Sequence, residues 1–117
     1  MQMDVSEIEG GIRHIRLAGR LDVEGTQAID LKFTALTATR RSAVVVDLSD
    51  VSFLASIGMR TLLSNAKALS LKGGRMVLLS PQPMVASALS TAGIDTLIPI
   101  HHDLESACKA LEGVVPV

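Results

Sequence analysis

The side chains able to do chemistry in this chain are few. They are one cysteine, three histidines and Ser56, which lies between an apolar run and a helical pattern in VVVDLSDVSFLASIGMRTLL, residues 44–63. A serine at a strand-to-helix junction can be a nucleophile, a helix cap or a phosphate acceptor. The nucleophile fails on its frame. A hydrolase elbow reads G-x-S-x-G, and Leu54-Ala55-Ser56-Ile57-Gly58 lacks the first glycine. Its base would have to be His14, on an early edge strand, or His101 or His102, on the loop before the last helix. Nothing in that pattern assembles a triad.

Metal and nucleotide chemistry fare no better. His101 and His102 are adjacent, so they point apart, and Cys108 falls on the apolar stripe of a helix. Neither G-x-x-x-x-G-K-[ST] nor G-x-G-x-x-G occurs. Gly73-Gly74 ends a helix, whereas a phosphate cradle would open one. No catalytic residue, metal or cofactor is expected, and the chain reads as a non-enzyme. Two roles stay open for Ser56. As an N-cap, its hydroxyl would accept from a first-turn N–H. As an acceptor, its phosphate would face the positive end of the helix dipole, adding about −1.5 to −2 charges without disturbing the fold. The two are compatible.

The elements that must position Ser56 are legible in the periodicities. Residues 3–8 and 12–18 read as two strands joined through Gly10-Gly11, a hairpin at a sheet edge with Ile15 and Leu17 on one face and His14 and Arg16 on the other. Ile29, Phe33 and Leu36 recur at helical spacing. Residues 43–48 carry Val44, Val45 and Val46 in succession, which suits a central strand covered on both sides. Asp47 and Asp50 then read as strand-end and turn residues. A helix over 57–72 follows, with Met59, Leu62, Leu63, Ala66 and Leu69 inward, and a further strand, RMVLLS. Pro83 starts a short helix with Val85, Ala88 and Leu89, and Gly93 stops it. TLIPI, residues 96–100, reads as a last edge strand, and Asp103 caps a helix carrying Leu104, Ala107, Cys108 and Leu111. The order β-β-α-β-α-β-α-β-α implies an α/β fold: a mixed sheet of four or five strands with a parallel centre, an N-terminal hairpin and four helices. One domain spans 1–113, with a short tail at 114–117.

Bulk properties narrow the class. The 117 residues suffice for one core, 48% of them are hydrophobic, and only 2% are aromatic. Stacking platforms for single-stranded nucleic acid are therefore missing. A net charge of −1 without a basic block offers no duplex footprint, so no direct nucleic-acid partner is expected. No apolar stretch approaches the roughly 20 residues that span a bilayer, so no membrane insertion is expected. With one cysteine and an N terminus unlike a signal peptide, the expected location is the cytoplasm.

Taken in order, LAGRLD at 17–22, VVVDLSDVSFLASIGMRTLL and GGRMVLLSPQPMVASALSTAGIDTLIPIHHDLESA resemble the STAS-domain family, specifically the bacterial anti-sigma factor antagonists. The resemblance covers nearly the whole chain. It implies a small α/β domain that binds an anti-sigma factor, itself a serine kinase, and so releases a sigma factor. It also implies phosphorylation of Ser56 by that kinase and its reversal by a PP2C-type phosphatase. Asp22 matches the acid near the acceptor. Ala55, Ile57, Gly58, Met59 and Arg60 would belong to the partner-facing helix start. Asp22 reads equally as a cap for the first helix. The residue before the acceptor is often Asp in that family and is Ala55 here, which removes a charge; Ile57 stands where Ser or Thr is common and makes the patch more apolar. Two other functions are compatible with the same scaffold: a non-phosphorylated STAS module in a stressosome-like or lipid-transport assembly, and a small-ligand binder.

Overall fold

The computed structural model describes residues 1–114; of the expected tail, residues 115–117 lie outside the described residues. Strands β1 (Gln2–Ile8) and β2 (Ile12–Leu21) form the N-terminal hairpin, closed by a 3-10 turn at Glu9–Gly11 in which Gly10 and Gly11 take the positive φ that the reversal demands. Helix α1 (Val23–Thr37), strand β3 (Ala43–Leu54), helix α2 (Ser56–Leu71), strand β4 (Arg75–Leu79) and helix α3 (Pro83–Thr91) alternate from there. A 3-10 turn at Ile94–Thr96, strand β5 (Ile100–His101) and helix α4 (Leu104–Ala110) follow. The sheet runs in sequence order, β1 antiparallel to β2 and the other neighbours parallel. This is the mixed sheet with a parallel centre that the sequence implies.

The crossover helices α1, α2 and α3 pack on one face, where Ile29, Phe33, Leu62, Leu69, Val85 and Leu89 meet Val44, Val46, Leu48 and Leu78. On the opposite face α4 and its C-cap residue lay Ala107 and Leu111 over Ala43, Val45, Val77 and Leu79. Consecutive valines of β3 therefore feed two separate apolar layers, which is why no polar residue interrupts them. Arg16, on the second face of β2 beyond the reach of that layer, is exposed to solvent.

Three expectations need correction. β3 does not stop at residue 48 but continues to Leu54, so Asp47 is a mid-strand residue and Asp50 a strand residue. Two register irregularities against β2, between Arg16 and Ala18 and between Gly19 and Arg20, reset the alternation along β3. As a result Leu48, Val51 and Leu54 all point inward at three-residue spacing. The last strand is only Ile100–His101, because Ile94–Thr96 forms a 3-10 turn. Pro99 contributes its carbonyl, which accepts from Leu78 N–H at 2.9 Å, but has no N–H to give. His101 thus belongs to the strand rather than to the loop before α4.

Candidate functional site at the carboxyl edge of the sheet

The parallel strands β2, β3 and β4 end at Leu21, Leu54 and Leu79, and α1, α2 and α3 begin just beyond them. Three helix N termini therefore gather along one edge, the place where open α/β sheets carry their functional groups. The junctions of β2 and β3 are tied directly: Leu21 and Leu54 are register partners, and Ala55 N–H donates to the Leu21 carbonyl at 2.9 Å. That bond sets the Asp22 junction beside the Ala55-Ser56 junction.

The cap of α2 is Ala55, not Ser56. Ala55 has extended dihedrals, its carbonyl accepts from Met59 N–H at 3.1 Å, and no side chain caps the helix. Ser56 is the first helical residue, one position beyond the expected one, and its side chain is exposed. A helix start leaves its first N–H groups without intrahelical partners, so at this edge they are served by no cap oxygen. Asp22 does cap: its Oδ1 accepts from Gly25 N–H at 2.8 Å. That bond is the main reason its carboxyl lies below the ordinary value; slight burial opposes it, and Arg20 adds to it.

The neighbouring residues divide by exposure. Gly58 is buried on the inner face of α2, where an added Cβ would stand 2.9 Å from the Leu21 carbonyl oxygen and 2.9 Å from Leu54 Cδ1. Its contribution is the close seating of the helix start on the strand ends. Met59 is half-buried against the main core, Ile57 is half-buried, and Arg60 is exposed.

Sequence reasoning missed two features of this half of the molecule. Arg20 lies 4.3 Å over the Phe53 ring, its register partner on β3, and its Nε is 3.4 Å from Asp22 Oδ2. Phe53 is exposed, as are Val23 and Met84 at the starts of α1 and α3, so apolar side chains face solvent along this edge. The β2–β3 register was the missing signal, and the bulges conceal it.

The second feature is a polar cluster on the far face. Asp47, its side chain only 7% exposed, meets His14 Nε2 at 3.3 Å and Arg16 Nε at 3.7 Å. Ser49 donates to its other oxygen through both N–H, at 3.0 Å, and hydroxyl, at 2.7 Å. Burial pushes the Asp47 carboxyl up, but the Ser49 bonds and His14 outweigh it and leave the group below its ordinary value. Because the serine bonds the carboxylate and not the imidazole, the trio is no nucleophile-base pair.

His101 and His102 lie in β5 and the turn after it, and Cys108 is half-buried beside the second core layer. Among the described residues no three His, Cys, Asp or Glu side chains gather as a metal site, and no helix is long and apolar enough to cross a membrane.

Comparison with known proteins agrees with this architecture. The chain is 27% identical over 105 residues to an anti-sigma F factor antagonist of Paenibacillus polymyxa, covering 89% of this chain and 90% of that one. The fold superimposes on an anti-sigma factor antagonist from Mycobacterium paratuberculosis with a TM-score of 0.83, at 24% identity over 94% of this chain and 92% of the other. It also superimposes on the Bacillus cell fate determinant SpoIIAA in its phosphorylated form, with a TM-score of 0.70 at 20% identity, covering 93% and 99%. The sequence matches the STAS domain over residues 5–107. With that match spanning most of its length, the chain belongs to the STAS domain family.

Proposed function

We propose that this protein is an anti-sigma factor antagonist: it binds an anti-sigma factor through the carboxyl edge of its sheet, releases the sigma factor, and is switched off by phosphorylation of Ser56. The observation that carries the reading is the state of Ser56. Its hydroxyl is exposed at the first position of α2, beside a cap that supplies no oxygen of its own. A serine needed for structure would cap the helix or be buried; this one does neither. The antagonist relatives support the partner class, and the phosphorylated Bacillus relative supports the modification.

In the transfer, Ser56 Oγ attacks the γ-phosphorus of ATP held by the anti-sigma kinase. The bond to the β–γ bridging oxygen breaks, ADP leaves with the electron pair, and the hydroxyl proton passes to a base on the kinase. The product phosphate sits at a helix N terminus whose N–H groups can accept its charge, so the fold survives. Binding does not. The edge docks through Ile57, exposed Val23 and Phe53, with Asp22 and Arg60 at its polar rim. A dianion placed there would have to be desolvated or paired on docking. Hydrolysis of the phosphoserine by a PP2C-type phosphatase restores the binding form. In this scheme the chain acts by binding and performs no turnover.

The test is to recover the anti-sigma partner with the chain from its source cell, incubate both with ATP, and map phosphate by mass spectrometry. One phosphate at Ser56, absent from Ser56→Ala, is expected. A phosphate confined to another residue, or none, would overturn the assignment of Ser56.

A further inference from the structure

A groove of about 730 Å³ opens between the C-terminal half of α2, the start of β4 and the segment 97–99. It is far from the carboxyl edge: Lys67 on its wall lies eleven residues along α2 from Ser56, about 16 Å at the helical rise. Leu63, Ala66 and Met76 line it from the core side, and Leu97 and Pro99 form the opposite wall. Leu71 and Leu97 on the rim are 82% and 64% exposed, which leaves apolar surface in water at no visible structural gain. The volume falls within the roughly 300–1,000 Å³ of small-ligand sites.

The charge on the groove is one-sided. Lys67 and Arg75 line it, and among the described residues no carboxylate does. Arg75 Nη1 donates to the Ala110 carbonyl at 2.6 Å. Lys67 forms no ion pair among the described residues. At the end of its helix the Leu69 and Ser70 carbonyls accept from the N–H groups of Lys72, Gly73 and Gly74. A cation with no ion-pair partner among the described residues stands beside an apolar lining, which is the arrangement that suits a ligand with one anionic head and a hydrocarbon body.

We propose that this groove binds a small anionic amphiphile, an aliphatic carboxylate whose chain lies along Leu63, Ala66 and Leu97 and whose head pairs with Lys67. The site is independent of Ser56, and its test stands or falls without the switch. The experiment titrates isotope-labelled protein with hexanoate, octanoate and decanoate below their micelle concentrations and follows backbone amide shifts. Shifts should concentrate at residues 63–76 and 97–99, and affinity should rise about two- to fourfold per added methylene as each is partly or fully buried. Lys67→Glu, at an exposed position that does not threaten folding, should weaken decanoate several-fold, and Leu97→Ser should flatten the chain-length dependence. Decyltrimethylammonium should bind more weakly than decanoate. Absence of shifts in the groove, shifts spread evenly over the surface, or equal affinity for wild type and Lys67→Glu would overturn the proposal.

Discussion

Helix α2 lacks a capping interaction that its backbone is shaped to make, and supplying it should stabilise the protein. Ala55 holds φ −87° and ψ 167° at the N-cap, with no side-chain bond to the first turn and no acid within that turn. Asp22 and Asp103 hold the same position on α1 and α4, and each accepts from the amide three residues on, at 2.8 and 2.7 Å. Aspartate at position 55 would accept from Gly58 N–H in the same way. Cap substitutions of this kind are worth about 0.5–2 kcal/mol, typically ~1. The favourable interaction of the new charge with the helix dipole, about 0.3–1 kcal/mol, is offset by the Asp22 carboxylate at the neighbouring junction. The net gain for Ala55→Asp is therefore about 1 kcal/mol, which for a domain of this size raises Tm by about 4 °C. Thermal and urea unfolding followed by circular dichroism measure it. Ala55→Asn, which caps without the charge, should gain nearly as much. Failure of both variants to raise Tm would refute the cap geometry and, with it, the placement of Ser56 one residue inside the helix.

Three other substitutions bear on the same strands and helix start. Ser56→Ala should cost less than about 0.5 kcal/mol in urea unfolding, since no cap bond is lost; a loss of about 1–2 kcal/mol would return Ser56 to a structural role. Gly58→Val should destabilise by about 1–3 kcal/mol through overpacking against Leu21 and Leu54, seen as a lower urea midpoint. The Asp47 carboxyl is depressed in the folded state, so its stabilisation is present in full above its ordinary value of 3.8 and is lost as pH falls through the folded value. The urea midpoint of wild type should accordingly fall toward that of Asp47→Asn below about pH 4, and a gap that stays constant to pH 2 would contradict the Asp47 cluster.

The parts of the fold that the sequence discloses are those where one physical requirement acts alone. Ile29 and Phe33 on α1, the valine run of β3 and the Asp103 cap each follow from periodicity or local hydrogen bonding, and each stands where expected. Legibility fails where two requirements overlap. The bulges between β2 and β3 turn a two-residue alternation into inward positions at 48, 51 and 54, which read locally as turn rather than strand. Pro99 and the 3-10 turn at 94–96 reduce an apolar run that looks like a strand to two paired residues. At the candidate site the serine and its helix are visible in the sequence, but the cap lies one residue earlier than the pattern suggests, because Ala55 has no side-chain signal of its own. The Arg20–Phe53 stack and the Asp47 cluster depend on cross-strand register, which no single segment encodes.

The central claim is that one phosphate on Ser56 decides whether the edge can dock. Its most direct test is calorimetric titration of the anti-sigma partner with unmodified chain and with chain carrying phosphoserine at position 56, both first shown to melt within a few degrees of each other. An unpaired charge buried on docking costs several kcal/mol, so the phosphorylated form should bind at least a hundredfold more weakly. Equal affinity of the two forms would contradict the account.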